Sequence, residues 1–129
     1  MAGIQRFEEI EAWKEARRLA REIYQATARG TFRRDFGLRD QLQRASVSVM
    51  ANIAEGFDGS SIREFLKFLS CAVRSTTEVQ SHLYVALDQG YIDQEAFTSL
   101  YGFTVRVKNL TSGFMLYLRS RSRTSNIAH

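Results

Sequence analysis

Proline is absent from the 129 residues, where average usage would supply about six. Without the residue that breaks helices and shapes turns, long uninterrupted helices are favoured over turn-rich β architecture. Cysteine occurs once, as Cys71, which excludes an internal disulfide and a thiolate zinc site and points to a reducing cytoplasm. Histidine occurs only at positions 82 and 129, too few for a histidine-built metal centre. No apolar run approaches the ~20 residues that span a bilayer. The N-terminal MAGIQRFEEIEAWKEARR carries acids early and lacks the unbroken apolar stretch of an export signal. The expectation is a soluble cytoplasmic protein without a membrane partner. The sequon Asn109-Leu110-Thr111 is then a chance match, because it never meets the glycosylation machinery.

What is present fits one folded domain over residues 1–129: 44% of residues are hydrophobic and 25% charged. Eighteen Lys and Arg against fourteen Asp and Glu give a net charge of +4. That balance permits an acidic partner such as nucleic acid without demanding one.

Four stretches carry helical periodicity. The first runs from Phe7 to Arg29, with Trp13, Ala16, Ala20, Ile23, Tyr24 and Thr27 three and four apart and Gly30 as its stop. Residues Thr31 to Asp35 read as a loop. The second starts near Phe36, aligns Leu38, Leu42, Ala45, Val49 and Ile53, and breaks at Gly56-Phe57-Asp58-Gly59-Ser60. The third aligns Ile62, Phe65, Leu69, Ala72, Thr76, Val79, Leu83 and Ala86 without a slip. It opens on Ser61-Ile62-Arg63-Glu64, a capping-box pattern, and closes at Gly90. The fourth follows an Asp93 cap with Phe97, Leu100, Thr104, Val107, Thr111, Phe114 and Leu118. Residues 119–129 lose the period and read as a flexible basic tail. Four amphipathic helices on short connections are best buried as an all-α, antiparallel up-and-down four-helix bundle.

The last helix holds more apolar surface than one bundle needs. Phe103, Leu110 and Tyr117 lie beside its main line, and Val47 and Met50 lie off the line of the second helix. The apolar arc of the last helix spans roughly 200°, about twice what a monomeric bundle uses. These five residues are candidates for contact with a second copy, the alternative being scattered surface apolar groups. Gln41, Arg44, Ser48, Asn52 and Glu55 form a polar stripe beside the apolar line of the second helix. Spacing alone favours a solvated face over a buried network.

Reactive chemistry finds little support. Glu78 and His82 are four apart rather than three and lie opposite the apolar line, unlike the inward Glu-x-x-His pairs of di-iron bundles. Cys71 has no histidine at helical spacing, and no Gly-x-Ser-x-Gly elbow occurs. No lysine precedes the serines of Gly56 to Ser61, so that stretch is a turn rather than a phosphate loop. No enzyme and no cofactor are expected. Basic residues are clustered instead: Lys14, Arg17, Arg18 and Arg21 on one edge of the first helix, Arg33 and Arg34 in the loop, and Arg119, Arg121 and Arg123 in the tail. They could bind RNA or DNA through phosphates, largely without regard to sequence. Glu8, Glu11, Glu15 and Glu22 share the first helix, however, and an ordinary salt-bridged surface is the competing reading.

The run FGLRDQLQRASVSVMANIAEG, with Trp13 and Tyr24 before it and Phe65, Phe68, Leu69, Ser75, Glu78 and Gly90-Tyr91-Ile92 after it, resembles the four-helix-bundle family encoded within 23S ribosomal RNA intervening sequences. Its most specific part is Gln41-x-x-Arg44-Ala45 followed by Asn52-Ile53-Ala54-Glu55-Gly56. Family members commonly carry proline and glutamate before Phe-Gly-Leu, where this chain has Thr31 to Asp35. The resemblance implies a homo-oligomeric ring, typically a pentamer, without established enzymatic activity. It also implies kinship to basic, nucleic-acid-binding accessory proteins that associate with a reverse transcriptase. With it, a structural or intersubunit network becomes the favoured reading of the helix-two stripe. A structural scaffold that binds another protein is the alternative function.

Overall fold

The computed structural model describes residues 3–59 and 61–128, the side chains of 123–128 excepted. Four helices follow one another: α1 (Glu11–Thr27), α2 (Phe36–Phe57), α3 (Ile62–Asp88) and α4 (Gln94–Ala128). Short 3-10 turns at Phe7–Glu9 and Gly30–Arg34 precede α1 and α2. Each connection is too short to cross the molecule, so consecutive helices run antiparallel. Each packs on the next, and α1 closes the ring against α4. The result is the up-and-down four-helix bundle that the periodicity predicts.

Local chemistry sets the helix ends. Asp35 accepts a hydrogen bond from the Leu38 amide at 3.1 Å, Ser61 from Glu64 at 3.1 Å and Asp93 from Ala96 at 2.8 Å, each satisfying an amide that lacks a helical partner. At the end of α3, Gly90 takes φ +73°, and the amides of Gly90 and Tyr91 donate back to the carbonyls of Leu87 and Ala86. This is a Schellman closure, in which glycine adopts the left-handed conformation without a Cβ penalty. Helix α1 has no side-chain cap of its own. Before it, the Glu9 carboxylate accepts from the amides of Gln5 and Arg6, and these bonds hold its pKa below the usual glutamate value.

On α2, α3 and α4 the core follows the lines read from the sequence, apart from the half-buried Leu38, Ile62 and Phe114. On α1 it is rotated toward Ala12 and Leu19 and leaves Tyr24 exposed. Leu42, Ala45, Val49 and Ile53 of α2, Phe65, Leu69, Ala72, Val79, Leu83 and Ala86 of α3, and Phe97, Leu100, Val107 and Leu118 of α4 are all buried. Burial of a leucine or phenylalanine contributes about 1.5–3 kcal/mol. The threonines within these lines are buried too, and Thr27, Thr76 and Thr111 donate their hydroxyls to the carbonyl four residues back, so no unpaired donor is stranded.

Several boundaries differ from the sequence reading. Phe7–Glu9 is a separate 3-10 turn, because the extended Ile10 breaks the path into α1. Helix α1 ends at Thr27, and Gly30, at φ +53°, opens the next turn instead of capping α1. The expected loop Thr31 to Asp35 is largely 3-10 and buries Phe32, which stacks on Tyr91 with centroids 5.0 Å apart. Helix α2 passes through Gly56 to Phe57. Helix α4 continues to Ala128, so loss of apolar period at Arg119 does not end the helix where a flexible tail was expected.

Candidate nucleic-acid interface

Helix α1 turns its alanine-rich side inward, burying Ala12, Ala16, Leu19, Ala20 and Ile23. That orientation leaves Arg17, Arg18 and Arg21 exposed and Lys14 half-exposed. These four cations, with Glu8 and Trp13, line a shallow depression of about 300 Å³. Two of the cations are partnered on their own helix, Lys14 with Glu11 at 3.2 Å and Arg18 with Glu15 at 2.9 Å. The Arg17 guanidinium lies over the Trp13 ring, 5.9 Å from its centroid. Among the described residues, Arg17 and Arg21 have no carboxylate within ion-pair distance. The site therefore combines fixed ion pairs with two uncompensated guanidinium groups around one half-buried indole.

Glu15 is the residue that the sequence reading placed worst. It is buried between α1 and α4 and also receives Arg106 of α4 at 3.2 Å, and the Arg106 guanidinium lies 4.5 Å above the Phe103 ring. No local pattern signals a contact between positions 91 residues apart. A second inter-helix pair joins α3 to α4. Gln80 donates to Thr104 at 3.0 Å and accepts from Lys108 at 2.9 Å.

The other predicted cations are dispersed. Arg33 and Arg34 are exposed on the 3-10 turn beside the far end of α1. Arg119 lines a groove between α3 and α4, and Arg121 lies over Tyr117 at 5.9 Å. The side chain of Arg123 lies outside the described residues. Glu78 and His82 approach to only 3.9 Å, and Cys71 is exposed. Among the described residues, no group of three or more histidine, cysteine, aspartate or glutamate side chains could hold a metal ion. No helix there is long and apolar enough to cross a membrane.

The helix-two stripe divides. Ser48 bonds Ser75 of α3 at 3.0 Å, and Asn52 donates to the Ser48 carbonyl at 2.8 Å and to its hydroxyl at 3.1 Å. This small cluster ties α2 to α3. Gln41, Arg44 and Glu55 are exposed and make no side-chain hydrogen bond or ion pair among the described residues. Of the apolar candidates, Val47, Leu110 and Tyr117 are exposed, whereas Met50 and Phe103 are half-buried against the core. Sequence reasoning passed over Leu116, at 62% the most exposed large apolar residue of α4 among the described side chains. Apolar grooves flank α4 on both sides. One, of about 410 Å³, lies against the start of α1 and contains Leu110, Phe114 and Tyr117; the other, of about 500 Å³, lies against α3 and contains Val73, Met115 and Leu116.

The family model described as 23S rRNA-intervening sequence protein matches residues 8–113. The chain belongs to the 23S rRNA-intervening sequence protein family. A crystal structure of a protein of unknown function from the S23 ribosomal protein family of Bacteroides thetaiotaomicron has the same fold, with a TM-score of 0.73 at 20% identity over 81% of this chain and 97% of that one. No curated protein matches. Within the 23S rRNA-intervening sequence bundle, the signature Asn52 to Gly56 has a physical basis. Asn52 donates to Ser48, whose hydroxyl bonds Ser75 of α3, and Ile53 is buried in the core. Gly56 lets α3 approach so closely that a Cβ there would lie 2.6 Å from Phe65 Cδ1 and 2.8 Å from Phe68 Cβ.

Proposed function

We propose that the protein is a non-enzymatic, homo-oligomeric nucleic-acid-binding accessory factor of the cytoplasm, whose basic α1 edge meets phosphates. The observation that supports this best is the gathering of Lys14, Arg17, Arg18 and Arg21 around one depression, with Arg17 and Arg21 uncompensated. A net charge of +4 is modest on one protomer, but repetition of the edge around an assembly multiplies the field that attracts a polyanion. The family description ties its members to intervening sequences of 23S rRNA, a setting consistent with an RNA ligand. Assembly into a pentameric ring accounts for the exposed Val47, Leu110 and Tyr117 and for the unpartnered Gln41, Arg44 and Glu55. A reverse transcriptase is the protein partner that the family resemblance suggests.

A gel shift with RNA and DNA at low and moderate salt tests the basic edge. Wild type should bind, weaken steeply with salt, and lose binding when Arg17, Arg18 and Arg21 are reversed to glutamate. Equal, negligible binding by both proteins refutes the reading. Light scattering should give a mass near five times the 14.8 kDa protomer, and a monomer at micromolar concentration refutes the assembly. A structural homo-oligomeric scaffold for another protein is the second reading, favoured by the apolar grooves on both flanks of α4. Retention of the assembly without any nucleic-acid binding would select it.

A further inference from the structure

Trp13 is the only tryptophan in the chain, and it sits in the basic depression instead of the core interior. Phe7 packs on it in a T-shaped arrangement, with centroids 5.1 Å apart and planes at 66°. The exposed Arg17 guanidinium lies over the half-buried ring, 5.9 Å from its centroid, near the outer limit of a cation–π contact. A half-buried indole at the wall of a basic depression, with a guanidinium only loosely over it, is a platform on which a flat base can replace that guanidinium. The displaced Arg17, with Arg21 one turn further along α1, then lies beside the base where a backbone phosphate runs. The ion-paired Lys14 and Arg18 border the site and raise the local potential without having to give up their carboxylates.

We propose that this pocket captures an unpaired nucleotide of single-stranded RNA or DNA, with the base stacked on Trp13 and the flanking phosphates held by Arg17 and Arg21. The proposal rests on the nucleic-acid reading of the α1 edge and goes beyond it. A purely electrostatic edge takes duplex and single strand alike, whereas a stacking platform requires a base whose face is free. In a duplex every face is covered by its neighbours. Stacking on an aromatic side chain is also tolerant of base identity, so no sequence preference is needed.

Because Trp13 is the sole indole, its emission reports directly on the site. Titration of the full chain with fluorescein-free oligo(U) and oligo(dT) should quench that emission, whereas a hairpin-free duplex of equal length should leave it nearly unchanged. In a parallel anisotropy assay with labelled strands, Trp13→Ala should weaken single-strand binding about tenfold and leave duplex binding unaltered. Trp13→Phe should retain most of the single-strand affinity, and circular dichroism checks the helical content of both variants. Binding of single strands without any change in wild-type emission, or equal affinity of wild type and Trp13→Ala for them, overturns the stacking site. If the charge-reversed α1 variant still loses binding in that case, the basic edge stands alone. Failure of wild type to bind any nucleic acid overturns both.

Discussion

Gly56→Ala sets two effects of opposite sign against each other. Gly56 lies inside α2 with an ordinary helical φ, so helix propensity alone predicts that alanine stabilises by about 1 kcal/mol. The added Cβ, however, would stand 2.6 Å and 3.1 Å from two atoms of the Phe65 ring and 2.8 Å from Phe68 Cβ. Carbon atoms pack at about 3.5–4.0 Å. The ring has little room to yield, because Phe65 is 2% exposed and meets Phe57 at 6.2 Å and Phe114 at 5.5 Å. Phe68 Cβ is bonded to the α3 backbone and moves only with the helix. Overpacking costs about 1–3 kcal/mol in general, and with a confined ring and a backbone-anchored Cβ both in the way the cost here falls in the upper part of that range, about 2–3 kcal/mol, above the propensity gain. The expected net loss is about 1–2 kcal/mol, or roughly 3–10 °C in Tm. Urea unfolding followed by circular dichroism, at fixed protomer concentration because assembly contributes to stability, measures it. Phe65→Leu in the Gly56→Ala background should recover only part of the loss, since the Phe68 contact remains. An alanine variant as stable as wild type, or more so, would refute this account of the α2–α3 approach.

Three further outcomes follow. Glu15→Ala removes a buried carboxylate from two guanidinium groups that are each more than half exposed, so solvent screening limits the loss to about 1 kcal/mol in a chemical denaturation curve; no change would show the α1–α4 bridge to be incidental. Asp35→Ala deletes the α2 cap and the partner of Tyr91, which donates to Asp35 at 2.9 Å, and should cost about 1 kcal/mol for the cap alone. The hydrogen bond to Asp35, then burial, then the Asp35 charge raise the Tyr91 pKa, so the stabilisation is whole below the ordinary tyrosine value of 10.0 and is lost as pH rises through the folded value. Wild type and Tyr91→Phe should therefore converge in stability under alkaline conditions, and a pH-independent gap would contradict the sign.

The fold was legible where apolar residues are large and evenly spaced. On α3, every residue of the line except the half-buried terminal Ile62 is buried as expected. On α1 the signal is weaker, because alanines carry little size information and the aromatics Trp13 and Tyr24 draw the inferred face toward themselves. The actual face is rotated toward Ala12, Glu15 and Leu19, leaving Tyr24 47% exposed. Gly56 reads as a turn in one dimension and as a close approach only once α3 lies against it. The pairs Phe32–Tyr91 and Glu15–Arg106 likewise join distant segments, which periodicity within one helix cannot express. Of the candidate site, the cation cluster on α1 was visible because i, i+3 and i, i+4 spacing places it on one edge. Its separation into compensated and uncompensated charges was not visible.

The bundle has four seams, and the polypeptide itself stitches only three. The joint between α1 and α4 has no connecting segment and is fastened by Glu15 and Arg106, 91 residues apart. Closing so distant a pair is the most entropically demanding step of assembly, and a neighbouring molecule can perform it equally well. Exchange of α1 between two copies would require residues 28–35 to straighten into a tether, and the burial of Phe32 against Tyr91 and the Asp35 cap are what hold that segment folded back. Loosening the Glu15 clasp would tilt the balance toward such entwined species.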